Sequence, residues 1–399
     1  MFLRTLSSFA QAGKLQQFLG QVTNQYVVSS GIRLLYSAEA LGLDGYKNSR
    51  EKTALQFQDL KDKFHQKMTE FSDPASNNMV FTEDLKQMLH LAEEKDLELV
   101  KQMIIKFNSQ NKELRFGAYT FGPVIMRLYH HLNQPEDALE LFLHEDFKSF
   151  FAQNISYQVL MDLLYNNGRY EDVVKVFDVV EARQNQGTRY PRSVVMLYVA
   201  ALYKMNTPES LERVVTLYRK LTAVGHTHVR RAVCFAAAIA VNQGQYNQAI
   251  ELLALIPGAG TYVTVKCIKL LAMSKIGRYE DVLNLLYGVL NVDVPEARLK
   301  NVKQTILSDV MERLVADFQE VDNVEAKAKF SKLCNQLREF NHVSTHTLDD
   351  LLTSEIKENQ NPGGPDQMTR SRYRSDNRSG SYGQNDRNYT RRPGLRDLQ

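Results

Sequence analysis

Histidine and cysteine are the residues of this sequence that could hold a metal ion. His342 and His346 are four residues apart, which would place both on one helix face, and Cys334 lies upstream. A zinc site needs further ligands in space, and the sequence lacks the paired-cysteine spacing that often supplies them. The neighbouring pairs His130–His131 and His226–His228 are no better placed. The alternative is that these are surface histidines, and we expect neither a metal nor another cofactor.

Other catalytic patterns are missing from the sequence. It contains no glycine-rich phosphate loop and no nucleophile elbow. Cys234, Cys267 and Cys334 form a sparse, odd set, which indicates a reducing compartment and not a disulfide framework. We therefore predict that the protein is not an enzyme, with a metal-dependent enzyme as the contrary hypothesis.

Composition and hydropathy argue against two further classes of protein: nucleic-acid binders with a basic field over the whole chain, and membrane-spanning proteins. The 399 residues carry a net charge of only +3, so no basic field covers the whole chain. No apolar run approaches the roughly 18 residues of a membrane-spanning helix. With 43% hydrophobic residues, the chain can form a sizeable hydrophobic core.

The N-terminus has the composition of a targeting segment. Residues 1–38 contain three basic residues and no acidic residue, with serines scattered between apolar positions. This pattern is typical of a mitochondrial transit peptide, which we assign to residues 1–36. An ordinary amphipathic helix is the alternative.

The C-terminal residues 357–399 are rich in Gly, Pro, Ser, Asn and Arg and have scarcely an aliphatic side chain. We expect this tail to be disordered, because it cannot bury enough apolar surface to offset the entropy of ordering. Eight arginines and four aspartates give it a charge of +4, and tyrosines are interleaved with the arginines. Both side chains stack on exposed RNA bases. The candidates are Arg370, Arg372, Tyr373, Arg374, Arg378, Arg391 and Arg392; alternatively, the tail only promotes solubility.

The phrase GRYEDV occurs twice, at residues 168–173 and 277–282. Alignment on it reveals five similar units, whose equivalent positions are 35, 41, 35 and 33 residues apart: Glu136, Glu171, Glu212, Asn247 and Glu280. In each unit two apolar helical faces flank a turn residue suited to the left-handed conformation, namely Asn133, Gly168, Asn206, Gly244 or Gly277.

Such a period predicts helical hairpins stacked into an all-α solenoid. We expect the repeats at residues 119–296. A helical segment or degenerate repeat precedes them at 50–118, and capping helices follow at 297–356.

The unit that begins at Asn154 resembles the pentatricopeptide repeat. It opens with Ile155-Ser156-Tyr157, and Gly168-Arg169 at its turn is followed by two acidic residues. Residues 154–188 match the family pattern well, 119–153 and 263–296 match it moderately, and 192–262 match it loosely. A tetratricopeptide repeat would carry a signature tryptophan, and this chain has none.

The resemblance implies a right-handed α-solenoid in the mitochondrial matrix that binds single-stranded RNA. It further implies a role in RNA maturation and mRNA processing, together with other RNA-processing proteins, and so in respiratory-chain function.

Members of the family read about one base per repeat, through a residue early in the first helix and the last residue of the repeat. The matching helix positions here are Pro123, Gln158, Met196, Cys234 and Cys267. The family favours Asn, Ser or Thr there, and Gln158 is the one comparable side chain. The end positions are Gln153, Pro191, Val229 and Tyr262, where the family usually has Asp or Asn. This departure favours contact with RNA by shape, or a protein-interaction scaffold for ribonucleoprotein or respiratory-chain assembly.

Two segments between repeats are basic. One contains Arg183, Arg189 and Arg192, and the other contains Arg230 and Arg231. Because successive repeats present equivalent loops at the same edge, we expect these arginines to form a strip for RNA phosphates. Solvated polar loops without a ligand are the alternative.

Overall fold

The computed structural model describes residues 35–110, 119–148, 150–184, 189–290 and 304–357. These residues belong to one compact unit. Residues 1–34 of the expected transit peptide and 358–399 of the expected tail lie outside the described residues. Leu35 and Tyr36 are buried in the folded body, although the expected transit peptide extends to residue 36.

The described chain is all-α apart from two short strands. The helices are α1 (Ala38–Leu41), α2 (Leu43–Gln56), α3 (Lys61–Ser72), α4 (Thr82–Leu91), α5 (Leu97–Ser109), α6 (Gly122–Leu132), α7 (Pro135–Leu143), α8 (Asn154–Asn166), α9 (Tyr170–Arg183), α10 (Arg192–Met205), α11 (Pro208–Ala223), α12 (Arg230–Asn242), α13 (Tyr246–Ala254), α14 (Val263–Ile276), α15 (Tyr279–Leu290), α16 (Ser308–Gln319), α17 (Val324–Glu339) and α18 (Leu348–Leu352). Short 3-10 turns lie at Glu94–Asp96, Glu145–Phe147 and Ala259–Thr261. Strand β1 (Ile306–Leu307) pairs in parallel with β2 (Val343–Ser344).

From α4 to α17 the helices form successive hairpins, each with an even-numbered first helix and an odd-numbered second helix, and α2 packs on α4 as a preceding first helix. Every first helix packs on the first helix of the next hairpin, without a break from α2 to α16. The second helices α7, α9, α11 and α13 also contact the first helix of the following hairpin. The core therefore runs continuously along the row of first helices. Helices α4 and α5, ahead of the expected repeats, and α16 and α17, after them, form hairpins packed in this same way.

Hydrogen bonds between neighbouring elbows show that the first helices run in the same direction. Asn167 at the end of α8 donates to the Oδ1 of Asn133 at the end of α6, across 2.8 Å. Gln243 after α12 donates to the carbonyl of Asn206 after α10, across 2.7 Å. The elbows thus lie along one edge, and the helix beginnings lie along the opposite edge.

The left-handed elbows predicted from sequence are confirmed. All five residues have positive φ, from 48° at Asn206 to 84° at Gly277. Glu136, Glu171 and Glu280 lie in the first turn of their second helices, as the alignment predicts. Glu212 lies deeper, because α11 begins at Pro208 and so lengthens this hairpin.

Candidate nucleic-acid interface

The five base-facing positions differ sharply in exposure. Met196, Cys234 and Cys267 are 2%, 1% and 0% exposed. Pro123 is also buried, whereas Gln158 is partly exposed. A base cannot form a hydrogen bond with a side chain that has no accessible surface. In this structure Gln158 is the one member of the set that is not buried.

The first helices are covered by the two ends of the folded body, which we call the terminal clasp (residues 35–42 and 343–357). The two segments are joined by main-chain hydrogen bonds, from the amide of Ser37 to the carbonyl of Ile356 at 3.1 Å and from the amide of Ile356 to the carbonyl of Leu35 at 2.8 Å. Within the clasp, α1 packs on α8, and α18 packs on α12 and α14. The clasp therefore covers parts of the first helices α8, α12 and α14.

Polar side chains of four first helices hold the terminal clasp. Lys204 on α10 pairs with Asp349 at 3.0 Å. Arg231 on α12 donates to the carbonyl and the Oγ of Ser354, at 2.6 and 2.8 Å. The remaining contacts are Arg127 Nε on α6 to the carbonyl of Leu41 at 2.9 Å, and the amide of Leu348 to Asp309 Oδ2 on α16 at 3.0 Å.

The ionisable groups at the contact between the terminal clasp and the first helices are perturbed by burial and by one another. Burial raises the pKa of Tyr203, and the charge of the adjacent Asp349 carboxylate raises it further. Burial also raises the pKa of Tyr36, and the nearby Asp162 on α8 adds to this effect. Asp162 is 0% exposed and accepts hydrogen bonds at Oδ2 from Asn166 at 2.7 Å. The clasp therefore covers polar groups as well as apolar core.

Three of the five candidate loop arginines are engaged within the protein. Arg183 lies over the ring of Phe142, 4.6 Å from its centre. Arg189 pairs with Glu181 at 3.1 Å, and Arg231 holds the terminal clasp. Arg192 and Arg230 are exposed and form no ion pair with a carboxylate in the described residues, whereas Arg189 is exposed but paired.

Arg192 and Arg230 occupy equivalent places at the edge of the row. They are the first residues of α10 and α12, which pack side by side. His226 Nε2 lies 2.9 Å from the carbonyl of Tyr190, which joins the two loops that precede these helices. The guanidinium of Arg230 stacks 3.3 Å from the ring centre of Tyr262, a residue that is 47% exposed. The structure thus brings two cations and an exposed aromatic ring to one edge.

The histidine pairs do not form a metal site in the described residues. Strand β2 lies between His342 and His346, so the two are not on one helix face. His342 Nδ1 lies 2.7 Å from the carbonyl of Gln304, and Cys334 is buried in α17. Across the described ranges, no three His, Cys, Asp or Glu side chains are grouped to hold an ion.

Comparison with known proteins gives a consistent result. The chain is 30% identical over 278 residues to the mitochondrial pentatricopeptide repeat-containing protein 2 of Mus musculus, covering 69% of this chain and 70% of that protein. The protein of the same name from Pongo abelii is 31% identical over 298 residues, covering 74% and 73%. The Xenopus laevis protein is 28% identical over 325 residues, covering 80% and 81%. No family model matches the chain.

The chain belongs to the family of pentatricopeptide repeat-containing protein 2.

In this member of the pentatricopeptide repeat-containing protein 2 family, the tail candidates Arg370 to Arg392 lie outside the described residues. None of the described helices combines the length and apolar character needed to cross a membrane. Sequence reasoning missed Lys204, Asp349 and Ser354. Lys204 and Asp349 pair across 145 residues of sequence, and Ser354 accepts from Arg231, 123 residues away. No local spacing signals such pairs, so only the folded chain reveals them.

Proposed function

We propose that the protein is a mitochondrial, non-enzymatic α-solenoid that binds single-stranded RNA. It acts in the matrix in RNA maturation and mRNA processing, and so supports the respiratory chain. The stacking of hairpins and the mitochondrial names of the relatives support this proposal. The right-handed sense of the solenoid is part of the proposal.

The observation that carries the proposal is the edge formed by Arg192, Arg230 and Tyr262. Within the described residues, neither arginine has a carboxylate at ion-pair distance, so both charges are available to phosphate. Tyr262, with Arg230 stacked on it, offers a surface to a base. Gln158 is the candidate for a hydrogen bond to a base edge.

Binding of fluorescent single-stranded RNA at several salt concentrations tests this edge. For single strands, the logarithm of the affinity falls with the logarithm of salt with a slope of about −0.7 per neutralised phosphate. The double variant Arg192→Gln/Arg230→Gln should bind more weakly, with a slope shallower by about 1.4. Lys275→Gln/Arg278→Gln is the matched control, because it removes two exposed cations that flank the elbow at Gly277, on the opposite edge. Equal effects of the two variants would contradict the proposed edge.

The tail is the second candidate source of affinity. A chain that ends at Asn359 removes every tail arginine and leaves the helical body intact. If the body contributes to recognition, its salt-sensitive binding should persist in this chain. Crosslinking of both forms to RNA in intact mitochondria, followed by sequencing, should give the same discrete sites. Loss of all discrete sites from the shorter chain would assign RNA binding to the tail.

The burial of Met196, Cys234 and Cys267 favours one alternative, a protein-interaction scaffold of mitochondrial ribonucleoprotein or respiratory-chain assembly. That function predicts no salt-dependent RNA binding by the purified chain. It also predicts a defined protein partner whose co-purification survives nuclease treatment.

A further inference from the structure

We propose that the terminal clasp is an autoinhibitory element that competes with RNA for the face of the first helices. The inference rests on the proposed RNA-binding function and adds a gate to it. In the closed state a strand reaches the edge at Arg192 and Arg230. Opening of the clasp exposes the row of first helices to the same strand.

The clasp binds its site with groups that resemble those of an RNA backbone. Lys204 is paired with the carboxylate of Asp349, and Arg231 is paired with the carbonyl and hydroxyl oxygens of Ser354. A phosphodiester offers negatively charged oxygens to these same two cations. A bound strand and the clasp therefore exclude each other at Lys204 and Arg231.

The contacts that hold the clasp in place can be broken and replaced by contacts with RNA. Lys204 and Asp349 are 29% and 50% exposed, so water can reach the ion pair as it breaks. The helices of the clasp are short, with four residues in α1 and five in α18. Asp162, close to Tyr36, is fully buried, and its Oδ1 has no hydrogen-bond partner in the described part of the chain. An unpaired buried oxygen is unfavourable, and opening the clasp would relieve it.

A reversible disulfide provides the decisive test. Tyr36 and Ile356 are partners in a parallel bridge, so their Cα separation is close to that of adjacent strands, which a disulfide can span. In the full chain carrying Tyr36→Cys and Ile356→Cys, the oxidised form should bind single-stranded RNA at least tenfold more weakly than the reduced form. The single variant Ile356→Cys controls for the effect of oxidant, since the native Cys234, Cys267 and Cys334 are buried.

A charge reversal at Asp349 tests whether opening the clasp strengthens RNA binding. Asp349→Lys places a cation against Lys204 and should open the clasp. Asp178→Lys is the matched control, because Asp178 is 53% exposed and pairs with Arg213 on the second helices. Both changes add the same charge, so any extra gain with Asp349→Lys reports the clasp. We expect at least threefold tighter RNA binding than in the control, and faster amide hydrogen exchange over residues 348–356.

The outcomes separate this inference from the function on which it rests. Equal RNA affinity of the oxidised and reduced forms would overturn the gate and leave RNA binding at the edge intact. Absence of salt-sensitive RNA binding in every form would overturn the proposed function, and the gate with it. Faster amide exchange in Asp349→Lys without tighter RNA binding than in Asp178→Lys would also overturn the gate, because the clasp would then open without exposing an RNA site.

Discussion

Arg169 donates from Nε to Oδ2 of Asp172 across 2.7 Å, at the start of α9. The second copy of the repeated phrase forms the same bond, from Arg278 to Asp281 at 2.6 Å. Arg169 also lies 3.2 Å from Glu136 of the preceding hairpin. The repeated phrase therefore builds the beginning of a second helix, and in its first copy it also links two elbows.

The two copies make a matched pair for mutation. Asp172 is 11% exposed in its side chain and also accepts from Lys175, whereas Asp281 is 43% exposed. We expect Asp172→Asn to lower the free energy of unfolding by about 1–2 kcal/mol, because it weakens two charged hydrogen bonds in a mostly buried site. Asp281→Asn should cost less than about 0.5 kcal/mol, as is usual for exposed pairs. Urea unfolding of both variants measures the difference, and equal costs would contradict it.

The stabilisation by Asp172 should depend on pH. Its burial raises the pKa, but the hydrogen bonds from Lys175 and Arg169 outweigh this and hold the pKa below its ordinary value. A carboxyl with a lowered folded pKa stabilises the protein above its unfolded pKa of about 3.9, and this contribution is lost as pH falls through the folded value. The stability gap between wild type and Asp172→Asn should thus be constant near neutral pH and shrink below about pH 4. A gap that widens on acidification would contradict the assignment.

Two glycines should respond to alanine with opposite signs. Gly168 has a φ of +71°, where an L-residue is strained, so Gly168→Ala should destabilise the protein by about 1 kcal/mol. Gly288 lies in the last turn of α15 with open space around its Cα, so Gly288→Ala should stabilise by up to about 0.5–1 kcal/mol. Thermal unfolding midpoints of the two variants should therefore move in opposite directions from wild type.

The cysteines should be unreactive in the folded protein. Burial raises the pKa of Cys267 to about 12 and that of Cys334 to about 11, and it also raises the pKa of Cys234. Because the thiolate is the nucleophile, native protein at about pH 8 should not react with a thiol reagent, while the unfolded chain should react at all three sites. An exposed Thr216→Cys variant serves as the positive control. Rapid native labelling of Cys234 or Cys267 would show that these positions face solvent.

The start of the folded body should matter for stability. Leu35 is 0% exposed and Tyr36 is 8% exposed, and the segment forms two main-chain bonds with Ile356. A chain that begins at Ala38 should be less stable than one that begins at Leu35, by roughly 3 kcal/mol or more from lost apolar burial. Comparison of the two by urea unfolding tests this, and equal stability would show that processing inside residues 34–37 leaves the body unaffected.

The sequence by itself determined the hairpins and their elbows. These features depend on local interactions: an apolar face at helical spacing, a glycine or asparagine that accepts positive φ, and acidic residues in the next first turn. The positions of Gly168, Asn206 and Gly277 could therefore be predicted before any contact between repeats was known.

Only the tertiary structure decided which face of these hairpins is accessible. Met196 and Cys267 are buried because neighbouring first helices pack on both sides of them, and segments far away in sequence cover the row. The pairing of Lys204 with Asp349, 145 residues apart, depends on how the hairpins between them stack. That stacking is decided by side-chain packing at each interface between hairpins, and the local spacing of residues does not specify it.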